Sequence, residues 1–200
     1  MAHDTTMTKR IAVIQGHPDP RGDRYGRALA RAYAEGAAAA GHEVRTIDVA
    51  RLEFPLLRSK EEWDGGAPPD AVRAAQDTIG WAEHLAIFYP LWLGTMPALL
   101  KGFFEQALRP GFAIGRGAAA TSWKRLLSGR SARIVVTMGM PAFVYRWFFR
   151  AHGLKSLERN ILGFVGVGPI RETLIGTVEG SPARRGRWLA KLRALGQRGE

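Results

Sequence analysis

Three short stretches carry residues able to do chemistry, and each directly follows an apolar run. The first is His17-Pro18-Asp19-Pro20-Arg21-Gly22-Asp23, which leads into a helix beginning near Arg24. Free backbone N–H groups and the helix dipole make such a junction an anion site, and His17, Arg21 and Arg24 can add charge-assisted contacts. The second runs from Pro90 to Met96 and holds Trp92, Gly94 and Thr95. An aromatic residue and a glycine there suit a flat ring lying against exposed backbone amides. The third is Met138-Gly139-Met140-Pro141-Ala142-Phe143-Val144-Tyr145. No Gly-Lys-Ser/Thr follows the first loop, so it is not a Walker A motif, and the Gly-x-Gly-x-x-Gly dinucleotide fingerprint is missing too. No Gly-x-Ser-x-Gly nucleophile elbow occurs. The histidines at 3, 17, 42, 84 and 152 are scattered without paired ligand spacing, so no metal site is expected.

The elements that must hold these loops alternate. Ile11 to Gly16 reads as a buried first strand, Val44 to Asp48 as a second, His84 to Tyr89 as a third and Arg133 to Thr137 as a fourth. Val165 to Val167 and Thr173 to Gly176 compete for the fifth, because Gly166, Gly168 and Pro169 break the run. The first helix carries Tyr25, Ala28, Leu29, Ala32 and Ala39 or Ala40 inward, with Asp23 as N-cap and Gly41 as its stop. Leu52 to Pro69 reads as a long connection. Helices follow over Asp70–Ala82, from Pro97 at a first helical position through Leu100, Phe103, Phe104, Ala107 and Leu108, over Gly153–Gly163, and from Ser181-Pro182 to the end. Pro90 is expected to stop the third strand. Gly115 to Gly129 reads as a mobile segment whose Trp123 to Leu127 forms a short helix, a hairpin or a surface loop. Strands alternating with helices imply an α/β fold with a parallel, doubly wound sheet. In such sheets ligands bind at the carboxyl ends of strands. The three loops follow strands one, three and four, so they gather on one edge.

Composition narrows the class. The chain has 200 residues, enough for one α/β domain, and no cysteine, which excludes disulfides, thiolate metal sites and a cysteine nucleophile. Residues 1–8 read as a disordered leader and 9–200 as a single domain. No apolar run approaches a membrane span and the N-terminus has no apolar h-region, so the expectation is a cytoplasmic protein with no integral membrane segment. The formal net charge of +11 attracts anions. The arginines are dispersed without a reader motif, so a solvated basic surface is favoured and no nucleic-acid partner is expected.

Pro90-Leu91-Trp92 followed by Pro97-Ala98-Leu99-Leu100-Lys101-Gly102 resembles the flavin-binding segment of the NAD(P)H:quinone oxidoreductase family. His17 and Tyr25 also match that family's phosphate loop, whereas Arg24 and Gly26 stand where the family has Ser and Asn, and the loop is longer. The run Thr137-Met138-Gly139-Met140 is similar to the family's loop along the polar edge of the flavin ring. Tyr145 follows at the family's spacing, and His152 lies about one position from the register of a family histidine. Without the resemblance, Tyr145 also reads as a core aromatic and His152 as a helix-end histidine.

The resemblance covers Ile11 to about Leu195. It implies a flavodoxin-like three-layer sandwich with a five-stranded parallel sheet in the order 2-1-3-4-5. It implies FMN or FAD held by His17, Arg24, Tyr25, Pro90, Leu91, Trp92, Leu93, Thr137, Met138, Gly139 and Met140. NADPH or NADH would supply a hydride and a quinone-like acceptor would take it, in a ping-pong mechanism. Tyr145 and His152 would be the catalytic pair. A homodimer is implied, and Phe143, Trp147, Phe148 and Phe149 are either its surface or core. Alternatives on the same scaffold are a flavin-binding regulatory subunit of a potassium efflux system and an azo- or nitro-compound reductase. A non-enzymatic nucleotide-binding module is the remaining alternative. On the enzyme reading, Tyr145→Phe lowers turnover more than flavin affinity in steady-state and binding assays. Full activity in that variant contradicts a catalytic Tyr145.

Overall fold

A computed structural model describes residues 8–117 and 122–200. The leader expected over 1–8 therefore lies, apart from Thr8, outside the described residues, as does part of the Gly115–Gly129 segment. The chain runs β1 (Arg10–Gln15), α1 (Tyr25–Ala39), β2 (Glu43–Asp48), α2 (Lys60–Gly65), α3 (Asp70–Trp81), β3 (His84–Pro90) and α4 (Ala98–Ala107). It continues through β4 (Ile114–Arg116), β5 (Trp123–Arg125), β6 (Ser131–Thr137), α5 (His152–Lys155), α6 (Gly163–Val165), β7 (Ile170–Ile175) and α7 (Pro182–Gln197). Wider π-type turns span Val144–Phe148 and Ser156–Leu162, on either side of α5.

Five strands form one parallel sheet in the order β2-β1-β3-β6-β7. With the small antiparallel β4–β5 hairpin set aside, this is the expected 2-1-3-4-5 order. Strand alternation divides the core in two. Ala12, Ile14, Leu85, Ile87, Ile134 and Val136 face α3, α4 and the 144–165 helical segment. Ile11, Val13, Ala86, Phe88 and Val135 face α1 and α7. Those two helices pack with little between them. A Cβ at Gly36 would stand 2.1 Å from the Arg193 carbonyl oxygen, and one at Gly196 would stand 2.1 Å from that of Tyr33.

Several local expectations shift. The α1 N-cap is Arg24, not Asp23, and no side chain caps it. The buried positions of α1 near its end are Tyr33, Gly36 and Ala37, while Ala39 and Ala40 are exposed. The long connection contains α2, capped by Ser59 and pinned by the buried Arg109 guanidinium, which donates to the carbonyls of Glu62, Trp63 and Gly66. Pro97 is an N-cap rather than a first helical residue. The fifth strand is Ile170–Ile175, and Val165 instead closes α6 before a left-handed Gly166. Trp123–Arg125 pairs with Ile114–Arg116 as a hairpin, not a helix. Ser181 caps α7 and Pro182 sits in its first turn, as expected. No helix among the described residues is long and apolar enough to cross a membrane.

His84 starts β3, at the sheet edge opposite the three loops. Its Nδ1 meets Ser131 Oγ at 2.8 Å, and burial drives its pKa from 6.5 down to about 3. The unfolded chain takes up this proton near 6.5. Between those two values the unfolded state holds more protons, so stability rises with pH and is lost as pH falls. Urea midpoints are expected to drop from pH 7 to pH 4, and His84→Gln to flatten that drop. An unchanged slope in the variant contradicts the assignment.

Candidate active site

Parallel pairing brings the three loops to one edge. Gly16 N–H donates to Phe88 O at 2.7 Å, holding the end of β1 against β3. Pro90 ends β3 as its last residue: it stays in register with Thr137, and one further bond follows, Leu91 N–H donating to Thr137 O at 2.7 Å. The second and third loops thus leave the sheet at a common level. The start of α1 reaches the same place, since a Cβ at Gly26 would lie 3.9 Å from Thr137 Oγ1. His17 and Trp92 meet edge to face, with centroids 6.1 Å apart.

In the first loop the arginines are spent on its aspartates. Asp19 accepts from Arg21 Nε and Nη2 and from Arg24 Nε, the last at 2.7 Å, and Arg27 clasps both oxygens of Asp48. The Arg21 guanidinium holds the Asp19 carboxyl far below the usual carboxylate range. The internal carboxylates are therefore neutralised, and Asp23 is exposed. Arg24 braces the loop rather than reaching outward. Tyr25 turns toward α7: its hydroxyl donates to Arg185 O at 3.0 Å. The donors left for an anion are backbone and imidazole. Tyr25 and Gly26 N–H groups open α1 and donate to nothing among the described residues. His17 Nδ1 accepts from Asp19 N–H at 3.0 Å, which puts the ring proton on Nε2. Burial lowers the His17 pKa, against an opposing pull from Asp19, so the ring is a neutral N–H donor.

The second loop is a two-residue turn. Trp92 N–H donates to Thr95 O at 2.9 Å and Thr95 N–H to Trp92 O at 3.0 Å. Leu93 (φ 47°) and Gly94 (φ 81°) are both left-handed, the signature of a type I′ turn. A leucine in that region carries a steric cost of about 1–2 kcal/mol. Leu93 is fully exposed and Trp92 half exposed, so the turn holds two apolar side chains in solvent at its crest. The N–H groups of Leu93 and Gly94 have no acceptor among the described residues.

In the third loop Thr137 and Met138 are buried, whereas Gly139 and Met140 are exposed and their N–H groups are unspent among the described residues. The Met138 and Met140 carbonyls are held by Val178 and Thr177 N–H groups, at 3.3 and 3.1 Å. Tyr145 is 1% exposed. Its hydroxyl donates to Gly94 O at 3.2 Å and accepts from Leu154 N–H at 3.1 Å. Burial raises its pKa, so it stays a neutral phenol with its proton committed to the turn. His152 opens α5, exposed, with no side-chain hydrogen bond among the described residues. Phe143, Trp147, Phe148 and Phe149 are surface, not core, with Trp147 and Phe148 76% and 78% exposed.

The arrangement is an open ledge: one apolar crest, two rows of free amides, and a helix start with free N–H groups. It can hold a flat heteroaromatic ring with a phosphate tail. A separate cleft of about 720 Å³ lies between α2 and the β4–β5 hairpin, lined by Lys60, Asp64, Gly111, Arg116 and Trp123. It shares no residue with the three loops. Sequence reasoning missed Gly153, whose hydrogen-only side chain lies against Gly94 and Thr95; its position after His152 gave no local signal.

The family model described as flavodoxin-like fold matches residues 9–198. A ribosyldihydronicotinamide dehydrogenase-like protein of Penicillium crustosum is 28% identical over 180 residues, covering 76% of this chain and 64% of its own length. An FMN-dependent NADH:quinone oxidoreductase of Nitratidesulfovibrio vulgaris is 26% identical over 186 residues, covering 82% of this chain and 85% of its own. The solved NAD(P)H:quinone oxidoreductase of Methanothermobacter marburgensis superposes with a TM-score of 0.77 at 24% identity, covering 96% of each chain. At that identity the last likeness is one of fold.

Leu93 makes the turn at a steric cost and buries nothing, so removing its side chain relieves strain. Leu93→Gly is expected to stay within about 1 kcal/mol of the parent in thermal or urea unfolding, unlike buried leucines, which lose about 2–5 kcal/mol. A loss of the larger size contradicts this reading of the turn.

Proposed function

The chain belongs to the flavodoxin-like fold family, and from that premise we propose that it is a cytoplasmic, flavin-dependent NAD(P)H oxidoreductase acting on quinones or related acceptors. The observation that carries the proposal is the meeting of three loops at the carboxyl ends of β1, β3 and β6, with their free donors on one ledge. The names of the similar proteins support the same chemistry and favour FMN over FAD. A bound flavin supplies hydride transfer; the protein supplies position and electrostatics.

The residues fit that group. His17 Nε2–H and the Tyr25 and Gly26 amides would be the donors to a phosphate monoester. Pro90, Leu91, Trp92 and Leu93 form the apolar support for a ring, with the Leu93 and Gly94 amides at its border. The free Gly139 and Met140 N–H groups would be donors to a ring's polar edge, and donors fixed in advance stabilise negative charge without reorganising. Thr137 and Met138 hold this row in place from within the core. Arg24 and Tyr25 keep the phosphate loop in shape through Asp19 and Arg185. His152, exposed and next to the Gly153 that lies against the turn, would be free to donate a hydrogen bond or proton to an acceptor oxygen.

Phe143, Trp147, Phe148 and Phe149 adjoin this ledge, and we assign them to the interface of a homodimer. Burying such aromatics recovers a large apolar area.

The direct test of function is the flavin spectrum under anaerobic NADPH or NADH: bleaching, then recovery on adding a quinone, is expected. A protein that takes up neither FMN nor FAD overturns the proposal. His17→Ala is expected to weaken FMN about tenfold, the range of one hydrogen bond to a charged group, and to leave riboflavin, which has no phosphate, unchanged. Equal losses for both ligands would remove His17 from the phosphate site. His152→Ala is expected to lower quinone turnover by about 10²-fold at unchanged FMN affinity. Trp147→Glu with Phe148→Glu is expected to give a monomer in light scattering; an unchanged mass contradicts the interface.

A further inference from the structure

We propose that Tyr145 and Gly153 together form a seat that sets the height of the Trp92–Thr95 turn, so both act as positioning residues for the ring rather than as proton carriers. The proposal rests on the flavin reading of the ledge.

The turn needs outside support. It holds Leu93 in a left-handed conformation with its side chain in solvent, so nothing that the Leu93 side chain touches stabilises that geometry. Residues in such conformations persist where the surroundings over-determine them. Here the surroundings are two contacts on the inner side of the turn. The first is the Tyr145 hydroxyl, which joins Gly94 O at 3.2 Å to Leu154 N–H at 3.1 Å. A carbonyl only accepts and an amide N–H only donates, so the direction of both bonds is fixed. The second is Gly153. A Cβ there would stand 2.2 Å from Gly94 O and 2.6 Å from Thr95 Cα, both backbone atoms. Any side chain at 153 must push the turn away from α5.

The other half of the seat is itself strained. Arg150 (φ 53°) and Ala151 (φ 49°) are consecutive left-handed residues, and Ala151 is buried. Ala151 N–H donates to Tyr145 O at 3.0 Å, so one tyrosine holds the reversal through its backbone and the turn through its hydroxyl. Two disfavoured backbone segments thus face each other across Tyr145 and Gly153. His152 is presented at the rim by the same reversal. A flat ring on the crest senses the height of the Leu93 and Gly94 amides directly, so loosening the seat is read first as lost ring affinity.

This predicts the opposite partition to a catalytic tyrosine. In Tyr145→Phe, the dissociation constant for FMN, read by quenching of FMN fluorescence, is expected to rise about three- to tenfold, the worth of one neutral hydrogen bond. The same factor is expected for riboflavin, because the phosphate loop is untouched. Turnover at saturating FMN stays within about twofold. Gly153→Ala is expected to weaken both ligands by more than Tyr145→Phe does. Hydrogen exchange of the 91–96 peptide, measured without flavin, is expected to speed up in Tyr145→Phe, which keeps the ring and tests the seat even where Gly153→Ala does not fold. Unchanged exchange and unchanged affinity in Tyr145→Phe overturn the proposal, as does a fall in turnover at unchanged affinity. If the parent protein binds no flavin while exchange still responds, the flavin reading fails and the seat stands.

Discussion

One hydrogen bond beyond the end of a strand sets the site. Leu91 N–H reaches Thr137 O at 2.7 Å, one bond past the proline that ends β3. Pro90 has no N–H to give, and the bond to β6 comes instead from its neighbour Leu91, while on the other side β1 pairs with β3 as far as Gln15–Phe88 and Gly16 N–H still donates to Phe88 O. The extension ties the root of the Trp92 turn to the root of the Gly139 loop, so both rows of free amides rise from one ladder. Everything further out depends on that level: the crest of the turn, the seat beneath it, and the distance to the start of α1.

The fold was legible because its signals are redundant. Buried strands carry short continuous apolar runs, Ile11–Ile14 and Ile134–Val136, and the long helices between them carry one apolar face each. The fifth strand was ambiguous for a physical reason. Ile170–Ile175 lies at the sheet edge and carries Arg171, Glu172 and Thr173 in succession, so it lacks the apolar density of the central strands.

The meeting of the three loops was legible, and the partners of their individual side chains were not. Gly94 announced a turn, but nothing local shows that Leu93 also adopts a left-handed conformation, since leucine disfavours it. Arg24 looked outward in the sequence; Asp19, five residues earlier, claims it. Tyr25 is claimed by Arg185, 160 residues away. The Tyr145 hydroxyl depends on partners at 94 and 154 that only the tertiary fold brings together. These are long-range hydrogen bonds, and no periodicity encodes them.

The central claim is that ring and phosphate lie on the ledge built by the three loops. Chemical-shift mapping of the amide spectrum on adding FMN tests it most directly. The account predicts the largest shifts at Tyr25, Gly26, Leu93, Gly94, Gly139 and Met140, with the cleft beside Lys60, Gly111 and Arg116 unmoved. Shifts confined to that cleft, or spread without a centre, would contradict it.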